Sequence, residues 1–183
     1  MRETKLLQAI EQRHAYRDLS EEALPEEQLA AIVQAGTLAP SCYNNQPWRI
    51  ITVHGEKLPA LRECLSGGNA WAQQAPAIIA LCAKAADDCR LDEGRDYALF
   101  DAGLCAMNMI LQATELGLVA HPIAGFSAGK AKKALGIPKD YVLITLIILG
   151  RRKADAGSVD EDKRQRAAMD SRSAAETWPW AAG

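Results

Sequence analysis

Along the first fifty residues the apolar positions fall at helical spacing twice and then change period. Leu6, Leu7 and Ile10 share one face among charged neighbours, which predicts a short amphipathic helix over 4–12 that ends at the basic stretch 13–17. A second helix is predicted from a start signal at 24–27. There a proline occupies the first turn and Glu26 and Glu27 lie near the positive end of the helix dipole. It runs to about Gly36 with Leu29, Ile32 and Val33 as its buried stripe. Residues 39–47, Ala-Pro-Ser-Cys-Tyr-Asn-Asn-Gln-Pro, follow neither period and predict a loop. The β-branched content of 48–53 predicts a strand. A short helix over 57–65, ended by Gly67 and Gly68, and a buried strand over 77–83 follow.

The longest predicted element is a helix from about 92 to 116, stopped by Gly117. Leu99, Phe100, Leu104, Met107, Ile110 and Leu111 leave it only a narrow polar stripe at Asp101, Asn108, Gln112 and Glu115. Such a helix needs cover on most sides, from a central place in the fold or from a second subunit. A strand over 119–123, a helix over 128–135 and a strand over 141–149, expected to be the most buried, complete the alternation. After Gly150 the chain turns basic, then polar and weakly patterned, and ends with Trp178 and Trp180. Large aromatic rings are expected to lie on a surface, the chain's own or a partner's. The division expected is therefore 1–153 as the body and 154–183 as an arm of the same domain.

Composition narrows the class. With 183 residues, 49% apolar and 24% charged, the chain fits one globular domain. A net charge of −2 offers no bulk attraction for nucleic acid or an anionic membrane, so neither is expected as a partner. The apolar runs 141–144 and 146–149 are too short to span a bilayer, and the amino terminus lacks the pattern of a signal peptide. Five cysteines, an odd number without a C-x-x-C pair, indicate neither a disulfide framework nor a zinc knuckle, and a reducing, cytoplasmic setting is expected. His14, His54 and His121 stand apart without acidic or cysteine partners at ligand spacing, so no metal is expected. The common dinucleotide, phosphate-loop, serine-hydrolase and zinc-protease motifs are absent.

Three features carry candidate chemistry. Arg13 and Arg17 near the start and Arg151 and Arg152 near the end each sit where a regular element gives way to irregular chain. Guanidinium forks bind phosphate oxygens bidentately, and two converging from distant sequence would neutralise a dianion. Either cluster alone also fits cations that are simply solvated at element ends. The loop 40–47 offers a hydroxyl and three amides, a donor and acceptor set suited to the edge of a planar heterocycle, or to an ordinary turn. In 121–126, His-Pro-Ile-Ala-Gly-Phe, small residues end a strand where backbone N–H groups can approach a ligand, or where Gly125 simply turns the chain.

Taken in order, these segments resemble the nitroreductase family of flavoenzymes, in its short bacterial form. Arg13-His14-Ala15-Tyr16-Arg17 is similar to the family's R-R-S-x-R knot. Ala39-Pro40-Ser41-x-x-Asn44-x-Gln46-Pro47-Trp48 is similar to its A-P-S-x-x-N-x-Q-P-W signature. Leu116-Gly117-Leu118 running into Pro122-Ile123-x-Gly125-Phe126 resembles its second flavin loop, and Gly150-Arg151-Arg152 its last phosphate contacts. The resemblance covers 13 to at least 152. It departs at Ala15, where the family has serine, and at Ala124, where many longer relatives carry an acid.

The resemblance implies a three-layer α+β fold around a central, mixed but largely antiparallel sheet of four strands, with the C-terminal arm reaching the partner of a homodimer. It implies FMN at the dimer interface. Arg13 and Arg151 or Arg152 would hold the phosphate, supported by His14 and Ala15, and Arg17 would lie near the pyrimidine end of the ring. Pro40, Ser41, Cys42, Asn44 and Gln46 would come from the partner chain. Asn69 would make a polar ring contact, and the backbone of Pro122, Ile123, Ala124 and Gly125 would face flavin N5. The activity implied is ping-pong transfer from NAD(P)H through FMN to a small acceptor such as a nitroaromatic or a quinone. A dehalogenase or ene-reductase would use the same cradle. A non-catalytic flavin-binding module and a plain interaction domain are the readings from other classes.

Overall fold

The computed structural model describes residues 5–154, so the arm with its two tryptophans lies outside the described residues. Four segments of alternating or continuous apolar character pair into one sheet in the order β1-β2-β6-β5. These are β1 (Trp48–His54), β2 (Ala77–Ala83), β5 (Val119–Ile123) and β6 (Val142–Gly150). All three pairings are antiparallel, so the sheet is antiparallel throughout rather than mixed. Two-stranded β3 (Arg90–Leu91) and β4 (Arg95–Asp96) form a separate small hairpin.

The pleat sorts the core into two layers. Ile79 and Leu81 of β2 and Ile147 and Leu149 of β6 face α2 (Glu26–Thr37) and α4 (Ala98–Glu115), where Leu29, Ile32, Ala102, Cys105 and Met109 fill the space. Ile78 and Ala80, with Leu146 and Ile148, face α3 (Leu58–Arg62), α5 (Ala128–Leu135) and the turn at Gly67–Gln74. The register slips once, between Leu81 and Cys82, where Ile144 is the extra residue of β6. That bulge reverses which parity points to which layer: Leu143 packs with Leu146 and Ile148, and Ile144 packs with the α2/α4 layer. Beside it, the Thr145 hydroxyl donates to the Ile123 carbonyl at 3.0 Å. The fold is thus α+β in three layers, as expected.

Three of the sequence expectations for the strands and helices are corrected. The long helix begins at Ala98, not near 92. The residues before it turn back as the β3–β4 hairpin, with Glu93 at φ 64° and Gly94 at φ 71° making its left-handed corner. The strand buried throughout is β2, whereas Val142 at the start of β6 is 56% exposed. The first helix is shorter than predicted, α1 (Gln8–Gln12), and among the described residues its stripe is left largely uncovered: Leu7 is 69% exposed. Leu6, Ile10, Leu38 of the α2 end, and Leu99, Phe100 and Met107 of α4 are exposed as well.

Candidate functional site

The N-terminal knot and the end of β6 come together through backbone pairing. Ser20 N–H donates to the Arg151 carbonyl at 2.9 Å, Lys153 N–H donates to Asp18 at 2.9 Å, and Leu19 bridges to Arg152. Leu19 itself is fully buried, which fixes this seam to the core. Successive residues of an extended segment point to opposite sides, and the two arginines do so. Arg151 reaches Gln28 at 3.2 Å and Glu22 at 3.7 Å. Arg152 lies 4.1 Å above the Tyr16 ring.

From Tyr16 a ring of aromatic and cationic groups extends along the β5 edge. His14 stacks on Tyr16 at 5.0 Å, His121 Nδ1 lies 3.1 Å from the Tyr16 carbonyl, and Trp71 packs against His121 at 4.6 Å. Arg17 lies 5.9 Å from the Trp71 centroid. Trp71 Nε1 donates to Asn69 Oδ1 at 3.3 Å, and Asn69 Nδ2 donates to the Gly125 carbonyl at 2.8 Å. Ser66 donates to the same carbonyl through both its N–H, at 3.0 Å, and its hydroxyl, at 2.8 Å. A Cβ on Gly125 would sit 2.5 Å from Asn69 Nδ2 and 2.6 Å from Ser66 Oγ. An alanine here would push both side-chain ends off the Gly125 carbonyl, and Gly125→Ala is expected to lower stability by about 1–3 kcal/mol, read as a fall in Tm.

The sequence-derived residues thus separate into two groups. Arg17, Asn69, Gly125 and Arg152, with His14, belong to one connected cluster. Arg13 closes α1 through its backbone N–H to Ala9, Ala15 is half-buried beside it, Pro122 and Ile123 are β5 residues and Ala124 is exposed after them. Tyr16, Ser66, Trp71 and His121 join the cluster without having been singled out for it. Tyr16 and His121 lie inside the candidate segments 13–17 and 121–126, but ring stacking between distant segments has no local sequence signal.

The second group is the loop before β1. Pro40 is exposed, the Ser41 hydroxyl accepts the Gln46 N–H at 3.0 Å, and Gln46 Nε2 donates to Asn44 Oδ1 at 3.0 Å. Tyr43, Asn44 and Gln46 have φ of 48°, 58° and 48°, the left-handed region that non-glycine residues avoid. The Cys42 N–H donates to Asp101 Oδ2 at 2.7 Å, and Asn45 Nδ2 donates to Asp88 Oδ1 at 3.2 Å. Cys42 and Cys89 are joined as a disulfide with Cα atoms 6.4 Å apart, which corrects the expectation of no disulfide; their separation of 47 residues left no pattern to find. The loop leads into β1, one edge of the sheet, whereas the cluster lines β5, the other edge. Three strand spacings, about 14 Å, lie between those edges.

Asp101 is 1% exposed, and burial chiefly, with neighbouring Asp88, pushes its carboxyl above the usual carboxylate range against the opposing pull of the Cys42 N–H. A raised folded-state pKa means that the native state holds the proton more tightly than the unfolded chain. This contribution to stability is therefore full below the unfolded pKa and is lost as pH rises through the folded one. Asp101→Asn keeps an acceptor for Cys42 and removes the titration. The difference in Tm between variant and wild type is expected to shift in the variant's favour as pH rises through that acid window.

The comparisons agree with this fold. The family model described as Nitroreductase family matches residues 10–70 and 60–151. The chain belongs to the nitroreductase family. It is 28% identical over 175 residues to a Thermus thermophilus protein named NADH dehydrogenase, covering 75% of this chain and 82% of the relative. It is 25% identical to the FMN reductase [NAD(P)H] of Bacillus subtilis over 162 residues, 80% of this chain and 65% of that one. A solved oxidoreductase containing FMN matches with a TM-score of 0.75 at 26% identity, covering 91% of this chain and 86% of that one. Among the described residues no helix is long and apolar enough to cross a membrane.

Proposed function

We propose that this chain is an NAD(P)H-dependent FMN oxidoreductase of the cytoplasm, acting as a homodimer on small organic acceptors such as nitroaromatics or quinones. The observation that carries this reading is the convergence of Arg152, Tyr16, Arg17 and Trp71 from three distant segments along one sheet edge. The donor set fits the cofactor. Guanidinium groups suit a dianionic phosphate, and amide and backbone groups suit the edge of a flat heterocycle. Bound there, FMN would supply the two-electron chemistry between nicotinamide and acceptor.

The chain's own residues would bind and orient it. Arg152 with Arg13 would hold the phosphate, His14 and Ala15 would support it, and Arg17 would place positive charge where the reduced ring becomes anionic. Arg151, engaged with Gln28 and Glu22, would instead secure the seam between 18–20 and 151–153. Asn69 would hold the Gly125 turn in place, so that the backbone of Pro122–Gly125 faces the ring. Pro40, Ser41, Cys42, Asn44 and Gln46 would be supplied by the second subunit, because within one chain their loop stands at the opposite sheet edge. The exposed apolar residues of α1, α2 and α4 would form the contact between subunits, with 154–183 as an arm across it.

An absorbance spectrum tests the reading directly. Purified protein incubated with FMN and desalted should be yellow, and NADH or NADPH should bleach it within seconds in stopped flow. Protein that stays colourless would overturn the proposal, and a spectrum that stays oxidised for hours would leave only a flavin-binding module.

A further inference from the structure

Among the described residues outside the ring of Arg152, Tyr16 and Trp71, a compact group of reactive side chains lies at the loop before β1. Cys42, Asp88 and Cys89 place their ligand-capable atoms within 4.8 Å of one another, and Asp101 holds the Cys42 N–H from beneath. The other three cysteines are of a different kind. Cys64, Cys82 and Cys105 are buried, and burial pushes the Cys105 thiol up to about 12. Buried thiols of that kind are poor nucleophiles, because the thiolate is the reacting form. Cys42 and Cys89 are only half-buried, and Tyr43 next to the first is 90% exposed. The loop that Cys42 belongs to is held in left-handed backbone at three residues, a conformation that persists only where surrounding contacts enforce it. Beyond the Gln46 bonds to Ser41 and Asn44 within the loop, those contacts include the Asp101 carboxylate, the Asn45 bonds to Asp88 and Cys89, the Arg49 bond to the Gln46 carbonyl, and the sulfur link to the β3–β4 hairpin.

We propose that Cys42 and Cys89 are a thiol–disulfide modification site that reacts with low-molecular-weight disulfides and latches the 41–46 loop to the β3–β4 hairpin. In the oxidising direction one thiolate of the pair attacks a disulfide RSSR. A mixed disulfide with the protein forms and RS⁻ leaves. The second thiolate then attacks the protein sulfur of that mixed disulfide and expels the second RS⁻. The pair loses two electrons and two protons, and RSSR becomes two RSH. The closed form fixes the loop against the hairpin. The open form leaves the Cys42 end of the loop tied mainly by Asp101. The consequence for cofactor affinity rests on the proposed function, because there the loop frames the flavin of the other subunit.

Full-length protein is equilibrated in buffers of reduced and oxidised glutathione, quenched with an alkylating agent and digested. A peptide pair joining Cys42 and Cys89 should accumulate as the buffer becomes oxidising and disappear as it becomes reducing, while Cys64, Cys82 and Cys105 stay as thiols. Chymotryptic cleavage after Tyr43 should be at least several-fold slower in the oxidised form, and this difference should vanish in Cys89→Ser. The cleavage readout does not require flavin, so it separates a failed latch from a failed cofactor assignment. If FMN binds, its Kd should differ several-fold between the two forms of the wild type and not at all in Cys89→Ser. Full alkylation of both cysteines at every glutathione ratio would overturn the proposal. So would one equivalent of zinc retained by the reduced protein and lost in Cys89→Ser, which would make the cluster a metal site.

Discussion

Replacing Arg152 with alanine is expected to weaken FMN binding by roughly 10- to 100-fold while leaving riboflavin binding nearly unchanged. A hydrogen bond to a charged group contributes about 1.5–3 kcal/mol, and each 1.4 kcal/mol is tenfold in affinity. Riboflavin lacks the phosphate, so it isolates that contact. The neighbouring substitution, Arg151→Ala, serves as the control, because Arg151 is turned toward Gln28 and Glu22. Its surface pairing is worth at most about 1 kcal/mol, and it should change the FMN Kd only slightly. Fluorescence quenching of FMN measures both. The reverse ranking, with Arg151 the costly position, would reassign the phosphate to the other side of the seam.

A larger effect is expected from Phe100→Glu. Phe100 of α4 is 56% exposed in the single chain and Leu38 at the α2 end is 75% exposed, and both are among the residues proposed to form the subunit contact. A carboxylate placed in that proposed contact must be desolvated for two copies to meet, and an unpaired buried charge costs several kcal/mol. The variant should elute as a monomer in light-scattering chromatography and should retain no FMN after desalting, because in the proposed dimer each cradle would need one half from each chain. Far-UV circular dichroism should stay that of the wild type. A dimeric, yellow Phe100→Glu protein would place the subunit contact elsewhere.

Much of the fold was legible from periodicity. The strands at 77–83 and 119–123 and the helix at 128–135 have the predicted bounds, because each is a continuous or alternating apolar segment between clear stops. The helix predicted from 92 failed at its start, where Glu93 and Gly94 make a left-handed corner and the acidic residues before Ala98 imitate a helix beginning. The stripe of Leu6, Leu7 and Ile10 was read as one apolar face, yet the described residues leave it exposed. A period says that a face is apolar and not what lies against it.

The candidate site divides in the same way. Arg17, Asn69, Gly125 and Arg152 were candidates because of the order of their segments, and the fold brings them into one cluster. Which of two adjacent arginines faces Tyr16 depends on the pairing of Leu19 with Arg152, a long-range register that no local pattern holds. The stacking of Trp71 on His121 and the pairing of Cys42 with Cys89 are likewise properties of the folded chain.

The backbone of Tyr43, Asn44 and Gln46 limits what substitution can do at the rim of the proposed cradle. β-Branched residues such as valine or isoleucine collide with their own peptide groups at these angles, whereas glycine, asparagine and aspartate tolerate them. A library meant to broaden acceptor choice would therefore discard most of its members for backbone reasons before any pocket was sampled. Diversity is better placed at Pro40 or Ala124, which are exposed and free of that restriction.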